Sequence, residues 1–184
     1  TLVASVRQIP NEYLLSHNSL DQININLILA LTNVVEQNAI SSINFVPMCY
    51  HHLGVDDRHY MTILKNEHPN LNCSIKKEPL NLAETMQLFM ASRLALGMRF
   101  HSVVLQTLLA ERNIIFDYTG GLGGKIRNFI ADVAPDDELL QCVVDLQQKY
   151  EFQLNQVTPS NFKPNIELLL DKISVYETLS TILR

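Results

Sequence analysis

The chain has 184 residues, a formal net charge of −5 and 47% hydrophobic residues. This length and composition are typical of one globular domain that buries a substantial core. Lysine and arginine are scattered along the chain without interleaved aromatic residues, which argues against a nucleic-acid interface. No apolar run reaches the roughly 18 residues that a membrane-spanning helix needs.

The cysteines indicate a reducing compartment. Cys49, Cys73 and Cys142 are odd in number, far apart, and form neither a CxxC pair nor a zinc-binding spacing. The chain opens on Thr-Leu-Val-Ala rather than on methionine, so we expect it to be part of a longer protein.

Strand-like and helix-like segments alternate along the chain. Short β-branched or apolar runs predict strands, and Asp21, Asp56 or Asp57, and Asn81 are predicted helix caps. The predicted strands cover residues 2–8, 40–48, 73–77, 94–98 and 113–118. The predicted helices cover residues 21–37, 56–65, 81–91, 102–111, 125–133, 135–150 and 165–183. This alternation predicts an α/β fold, a Rossmann-like doubly wound parallel sheet in a single domain over residues 1–184, with a C-terminal helical extension over about 136–184.

The predicted topology brings three distant side chains to one crevice. In the strand order 3-2-1-4-5 the first and fourth strands are neighbours, and ligands bind beyond their carboxyl ends. Arg7 lies near the carboxyl end of the first strand, and Arg99 and His101 lie just beyond the fourth. Two arginines and a histidine there predict a site for a small, doubly charged anion. The alternative is structural, with both arginines paired to carboxylates and His101 buried and hydrogen-bonded.

The remaining motifs give weaker indications of function. The glycines at 120–124 lack the Walker and dinucleotide patterns and favour a turn, although Lys125 after them could reach a ligand. The Cys, His and Asp residues between positions 49 and 59 match no metal-site spacing, so no metal site is expected. No Gly-x-Ser-x-Gly elbow supports a hydrolase. No cofactor is expected.

The segment Gly97-Met98-Arg99-Phe100-His101 resembles the Gly-Met-Arg-hydrophobic-His segment of the polysaccharide pyruvyl transferase family. Similar features follow the family's order over residues 1–133. They are Ser5-Val6-Arg7, Phe45-Val46-Pro47 with Asp56-Asp57, and Tyr118 with Lys125. Two departures stand out: Phe100 replaces the more usual leucine, and Gly120–Gly124 separates Tyr118 from Lys125, which the family keeps close together.

The resemblance implies a fold similar to the C-terminal, donor-binding half of a GT-B glycosyltransferase, with an N-terminal acceptor-binding half outside this chain. It implies transfer from phosphoenolpyruvate to a diol of a sugar or lipid-linked glycan, as in exopolysaccharide biosynthesis, forming a pyruvate ketal and releasing phosphate. Arg7 and Arg99 would bind the donor, Phe100 and Lys125 would contact substrate, and His101 would be the general acid or base. The expected location is cytoplasmic, with a peripheral place at the inner membrane as an option. This half alone is expected to lack turnover.

Two other functions remain open at this point. One is a nucleotide-sugar glycosyltransferase domain of the same architecture. The sequence argues against this function, because it shows no acidic residue clearly placed to bind a ribose at the carboxyl end of a late strand. The other is a non-catalytic module whose crevice has lost its chemistry. Binding of a nucleotide sugar without phosphoenolpyruvate would favour the first, and binding of neither would favour the second.

Overall fold

A six-stranded, entirely parallel sheet forms the centre of the molecule. The computed structural model describes residues 1–14, 19–50, 55–119, 124–133, 140–148 and 159–161. The strands are β1 (Leu2–Ser5), β2 (Ser42–Phe45), β3 (Asn72–Ile75), β4 (Leu94–Gly97), β5 (Asn113–Asp117) and β6 (Val143–Asp145). Their spatial order is β3-β2-β1-β4-β5-β6, and every neighbouring pair is parallel.

Helices connect the strands and cover both faces of the sheet. They are α1 (Leu20–Gln37), α2 (Asp57–Glu67), α3 (Leu82–Met90), α4 (Phe100–Leu109) and α5 (Lys125–Val133), with short 3-10 turns at Asn11–Tyr13 and Leu140–Cys142. Among the helices in the described ranges, none combines the length and apolar character needed to cross a membrane.

The central strands are buried on both faces, so they appear in the sequence as continuous apolar runs rather than as alternating ones. On one face of the sheet, Leu2 of β1 and Leu96 of β4 join the core beneath α1 and α2. On the other face, Val3 of β1 and Ala95 of β4 pack with Phe89 of α3. A third apolar cluster joins α4, α5 and β5. This double coverage is why parallel pairing is stable here without a solvent-facing side of the sheet.

The predicted α/β, doubly wound class and the neighbouring of β1 and β4 are confirmed. All five predicted strands form, and two helix starts differ from the prediction. Ser19, not Asp21, caps α1, because its hydroxyl accepts a 3.1 Å bond from the Gln22 amide. The helix expected from residue 102 begins earlier, at Phe100.

The predicted helix over residues 135–150 is wrong where the structure describes it. Residues 140–148 form a 3-10 turn followed by β6, which pairs with the carboxyl half of β5. The Pro-Asp-Asp start favours a helix locally, but Val143 and Val144 complete the sheet edge, where Val144 is buried and Val143 is partly buried. Residues 134–139 and 149–158 and the predicted helix over 165–183 lie outside the described residues.

Candidate functional site

A cleft of about 400 Å³ lies at the carboxyl ends of β1, β4 and β5. This is the switch point of the sheet, because the chain runs outward from β1 through β2 to β3 and then returns to β4 on the other side of β1. A volume in this range is typical of small-molecule sites. The residues that line the cleft are Arg7, Tyr13, Arg99, Phe100, His101, Tyr118, Thr119, Gly124, Lys125 and Ile126.

All five site residues predicted from sequence line this cleft: Arg7, Arg99, Phe100, His101 and Lys125. Tyr118 also lines it, whereas Tyr13 and Thr119 were not predicted. Tyr13 belongs to a short 3-10 turn in a polar segment that carries no motif. Only the tertiary fold brings Tyr13 over the ends of the strands.

Arg99 enters the cleft from the junction between β4 and α4, where it forms the helix N-cap. The backbone N–H of Arg99 donates to the Ser102 hydroxyl at 3.3 Å, and that hydroxyl donates to the Arg99 carbonyl at 2.7 Å. His101, in the first turn of α4, is exposed rather than buried, and its ring lies 5.8 Å from the ring of Phe100. The junction therefore presents a guanidinium and an accessible imidazole on one wall.

A carboxylate from another helix holds the Arg99 guanidinium. Arg99 Nε and Nη2 donate to Asp57 at 2.8 and 2.6 Å, and the Asp57 side chain is fully buried. The Asp57 carboxylate also accepts the backbone N–H groups of Met48 and Cys49 at 3.1 and 3.0 Å. The structural interpretation of Arg99 is thus correct as far as its partner is concerned, and the same guanidinium also lines the cleft.

Arg7 lies against an aromatic pair. Its guanidinium carbon is 6.0 Å from the centre of the Tyr118 ring, and its Nε donates to the Gln8 carbonyl at 3.0 Å. Tyr13 packs edge-to-face on Tyr118, with ring centroids 5.2 Å apart. Burial raises the pKa of the Tyr118 phenol, and the Arg7 and Arg99 guanidiniums oppose that shift. Tyr118 therefore lies within electrostatic reach of both arginines.

Glycines let the walls of the cleft approach closely. A Cβ on Gly97 would collide with the Gln106 side chain and come within 3.0 Å of the Ser102 hydroxyl, so glycine lets α4 lie against the end of β4. A Cβ on Gly124 would lie 2.6 Å from the Thr119 hydroxyl. Gly124 belongs to the predicted glycine turn, whose residues 120–123 lie outside the described residues.

Two acidic residues end the late strands, which is where a ribose-binding carboxylate would lie. Asp117 ends β5 and Asp145 ends β6, and both pair with Arg127 of α5. The Asp117 carboxylate also accepts the backbone N–H and hydroxyl of Thr119 at 2.9 and 2.7 Å. Neither carboxylate lines the cleft, so each has a structural partner rather than a position suited to a ribose.

Gln147, just after β6, connects the backbones of Tyr13 and Tyr118, whose rings form the aromatic wall of the cleft. Its buried side-chain amide donates to the carbonyls of Tyr13 at 2.6 Å and Tyr118 at 2.8 Å. Burial raises the pKa of the neighbouring Asp145 carboxyl. The Asp145 carboxylate in turn accepts the Gln147 backbone N–H at 3.0 Å.

Metal-ligating residues do not gather in the described ranges: no group of three His, Cys, Asp or Glu side chains there could hold a metal ion. Asp56 of the predicted metal-like segment instead caps α2 and pairs with Arg58 at 2.6 Å. His51 and His52 lie outside the described residues.

The chain matches no protein-family model, and comparisons with curated proteins and with solved structures also found no match.

Proposed function

We propose that the cleft is the donor site of a polysaccharide pyruvyl transferase and binds phosphoenolpyruvate. The observation that carries this proposal is the convergence of Arg7, Arg99, His101 and Lys125 on one cleft at the switch point of the sheet. Within the described part of the chain, no acidic residue lines that cleft. The chemistry follows from the resemblance of residues 97–101 to that family.

The charge of the cleft suits a small dianion. Asp57 offsets the charge of Arg99, whereas Arg7 and Lys125 make no ion pair with any described residue. About two positive charges are therefore left for a ligand. Phosphoenolpyruvate offers a phosphate and a carboxylate at its two ends, and charge-assisted bonds to guanidinium groups are the strongest available for both.

Two helix N-termini open onto the cleft and favour the same ligand. The first turns of α1, α2 and α3 contain Asp21, Asp57 and Glu84, whereas those of α4 and α5 contain no acidic residue. Arg99 and Lys125 lie at these two N-termini, and a cation at a helix N-terminus is unfavourable by about 0.3–1 kcal/mol. An anion bound between α4 and α5 would offset this cost and accept bonds from the free N–H groups of both first turns.

His101 is the proposed general acid and base. The enol carbon of the donor takes a proton, one sugar hydroxyl adds to the adjacent carbon, the phosphate leaves, and the second hydroxyl closes the ketal. Of the two hydroxyl protons, one ends on the new methyl group and the other leaves with the phosphate. An exposed imidazole between donor and acceptor can relay these protons, and such relays contribute roughly 100- to 10,000-fold in rate.

The acceptor in this proposal is a sugar or lipid-linked glycan, held by an N-terminal half outside this chain. We propose the cytoplasm, or the surface of the inner membrane, as the location of the reaction. Tyr13, 39% exposed at the cleft, is the aromatic surface available to the second substrate.

Calorimetric titration with phosphoenolpyruvate tests the donor site. We expect Arg7→Gln and Lys125→Met each to weaken binding at least about tenfold, because each loses a charged partner of the ligand. Arg93→Gln is the matched control, since Arg93 is exposed and precedes β4 at the opposite edge of the sheet. Thermal melting of all four proteins checks that the fold is kept.

Parent-like affinity in both cleft variants would contradict the proposed site. If the folded parent binds UDP-glucose and not phosphoenolpyruvate, a nucleotide-sugar transferase replaces this proposal. If it binds neither, the donor-site proposal fails and a non-catalytic module becomes the better interpretation.

A further inference from the structure

The ion pair between Asp57 and Arg99 uses only one side of the guanidinium. The carboxylate takes Nε and Nη2, and Nη2 also approaches the Val55 carbonyl at 3.5 Å. Within the described residues, Nη1 makes no hydrogen bond, although Arg99 lines the cleft. Both N–H donors of Nη1 thus stay available to a ligand.

We infer that Asp57 is a positioning residue, which holds Arg99 so that the Nη1 nitrogen is the one that donates to the donor anion. The inference rests on the proposed function for the identity of that anion. The orientation of Arg99 is a separate claim that can be tested without any ligand.

The carboxylate can hold Arg99 because it is itself fixed from several directions. Asp57 is the first residue of α2, its side chain is fully buried, and it accepts the backbone N–H groups of Met48 and Cys49 in the loop after β2. Moving it would leave a buried carboxylate and two backbone donors unpaired, which is strongly unfavourable. Arg99 is therefore tied to the frame formed by β2 and α2.

This restraint has a direct consequence for binding. A free arginine side chain loses rotamer freedom when it clamps a ligand, whereas Arg99 is ordered before the ligand arrives. Arg7 is held differently: its Nε donates to the neighbouring Gln8 carbonyl, and its guanidinium contacts Tyr118 without an ion pair to any described carboxylate. The cleft thus pairs a fixed guanidinium with a more adaptable one.

Asp57→Asn tests the positioning role, and Asp56→Asn is the matched control. Asp56 also lies at the start of α2 but pairs with Arg58 rather than with Arg99. We expect Asp57→Asn to weaken phosphoenolpyruvate binding about tenfold and Asp56→Asn to leave it unchanged. In an Arg99→Lys background, Asp57→Asn should add no further loss, because it acts through Arg99.

The Nε–H signal of Arg99 in ¹⁵N NMR spectra reports whether Asp57 holds the guanidinium in place. The chain has seven arginines, and the Arg99→Lys variant identifies the signal. We expect slow hydrogen exchange at this N–H in the parent and in Asp56→Asn, and fast exchange in Asp57→Asn. On the parent alone, titration with phosphoenolpyruvate or inorganic phosphate should shift the Nη1 signals of Arg99 more than the Nη2 signals, which keeps the test valid if Asp57→Asn does not fold.

Three results would overturn the inference: an Arg99 signal unchanged in Asp57→Asn, equal weakening by Asp57→Asn with and without Arg99, or Nη2 shifting more than Nη1. If the parent binds no phosphoenolpyruvate but shows the expected exchange pattern and the Nη1 shift with phosphate, the positioning role stands. In that case the proposed donor is wrong.

Discussion

Ser5 and Gly97 are register partners on the adjacent parallel strands β1 and β4. Each is followed two residues later by an arginine, so Arg7 and Arg99 leave the sheet at the same level and reach the same cleft. The Met98 N–H donates to the Ser5 carbonyl at 2.9 Å and carries the pairing one residue beyond the strands. The pair of arginines is thus a consequence of strand register.

Gly97→Ala should destabilise the protein by about 1–3 kcal/mol, the usual cost of overpacking a close contact. The added methyl group would displace Gln106, whose side-chain amide donates to the Ile114 carbonyl at 2.9 Å. Urea denaturation gives the free energy of unfolding. In a Gln106→Ala background the same substitution should cost much less, and an equal cost there would show that the collision is not with Gln106.

Arg99→Ala should cost about 3 kcal/mol of stability, because it leaves the buried Asp57 carboxylate without its cation. Arg7→Gln should change the free energy of unfolding by less than about 1 kcal/mol, since Arg7 makes no ion pair in the described ranges. Loss of ligand binding in Arg99→Ala alone would therefore not distinguish a lost ligand contact from a destabilised fold. Equal stability of the two variants in urea would contradict the role assigned to Asp57.

Gly124→Ala should weaken phosphoenolpyruvate binding more than it weakens the fold. The new Cβ would press on Thr119, which Asp117 holds in place, so the start of α5 and Lys125 must shift. We expect a several-fold loss of affinity by calorimetry, with Arg93→Gln as the unaffected control. An affinity equal to the parent's would show that the position of Lys125 does not matter for the ligand.

The pH dependence of stability should carry a signature of Asp145. Burial raises the pKa of this carboxyl above the ordinary 3.8, so the unfolded chain loses its proton first as pH rises. The contribution of Asp145 to stability is therefore greatest below pH 3.8 and falls as pH rises toward the raised pKa.

The matched variant for this test is Asp145→Asn, which cannot titrate. Subtracting its free energy of unfolding from that of the parent, measured in urea at several pH values, should give a difference that decreases from about pH 4 upward. A difference that increases over that interval would mean that the pairing with Arg127 outweighs burial.

Cys142 should resist alkylation in the native protein. Burial raises the pKa of its thiol to about 12, so at pH 8 only ~1 in 10⁴ molecules carries the reactive thiolate. Cys49 is only partly buried. Peptide mapping after iodoacetamide treatment should find Cys49 labelled first and Cys142 labelled only after unfolding in urea. Equal labelling rates would show that the β6 edge opens readily.

Much of the fold was predictable because its signals are local. Parallel strands buried on both faces need apolar runs, and Asn81 and Asp56 mark helix starts through bonds to residues two or three positions away. Arg7, Arg99 and His101 were predictable because the topology rule sends the ends of β1 and β4 to one crevice, whereas Phe100 and Lys125 were expected there from the family resemblance. The helix predicted over 135–150 failed because helix-start chemistry is local, whereas the pairing of Val143 and Val144 depends on β5, which is distant in sequence.

By itself, the sequence determined the α/β class, the strand order at the switch point and the side chains placed there, because these depend on the order of segments and on residues near each strand end. Only the tertiary structure decided that Asp57 rather than Asp56 holds Arg99, that Tyr13 lies over Tyr118, and that Asp117 and Asp145 share Arg127. The physical reason is that ion pairs and ring contacts act over a few ångströms. Asp57 and Arg99 are 42 residues apart in the sequence, and Tyr13 and Tyr118 are 105 apart, so each pair comes into contact only when the sheet has assembled.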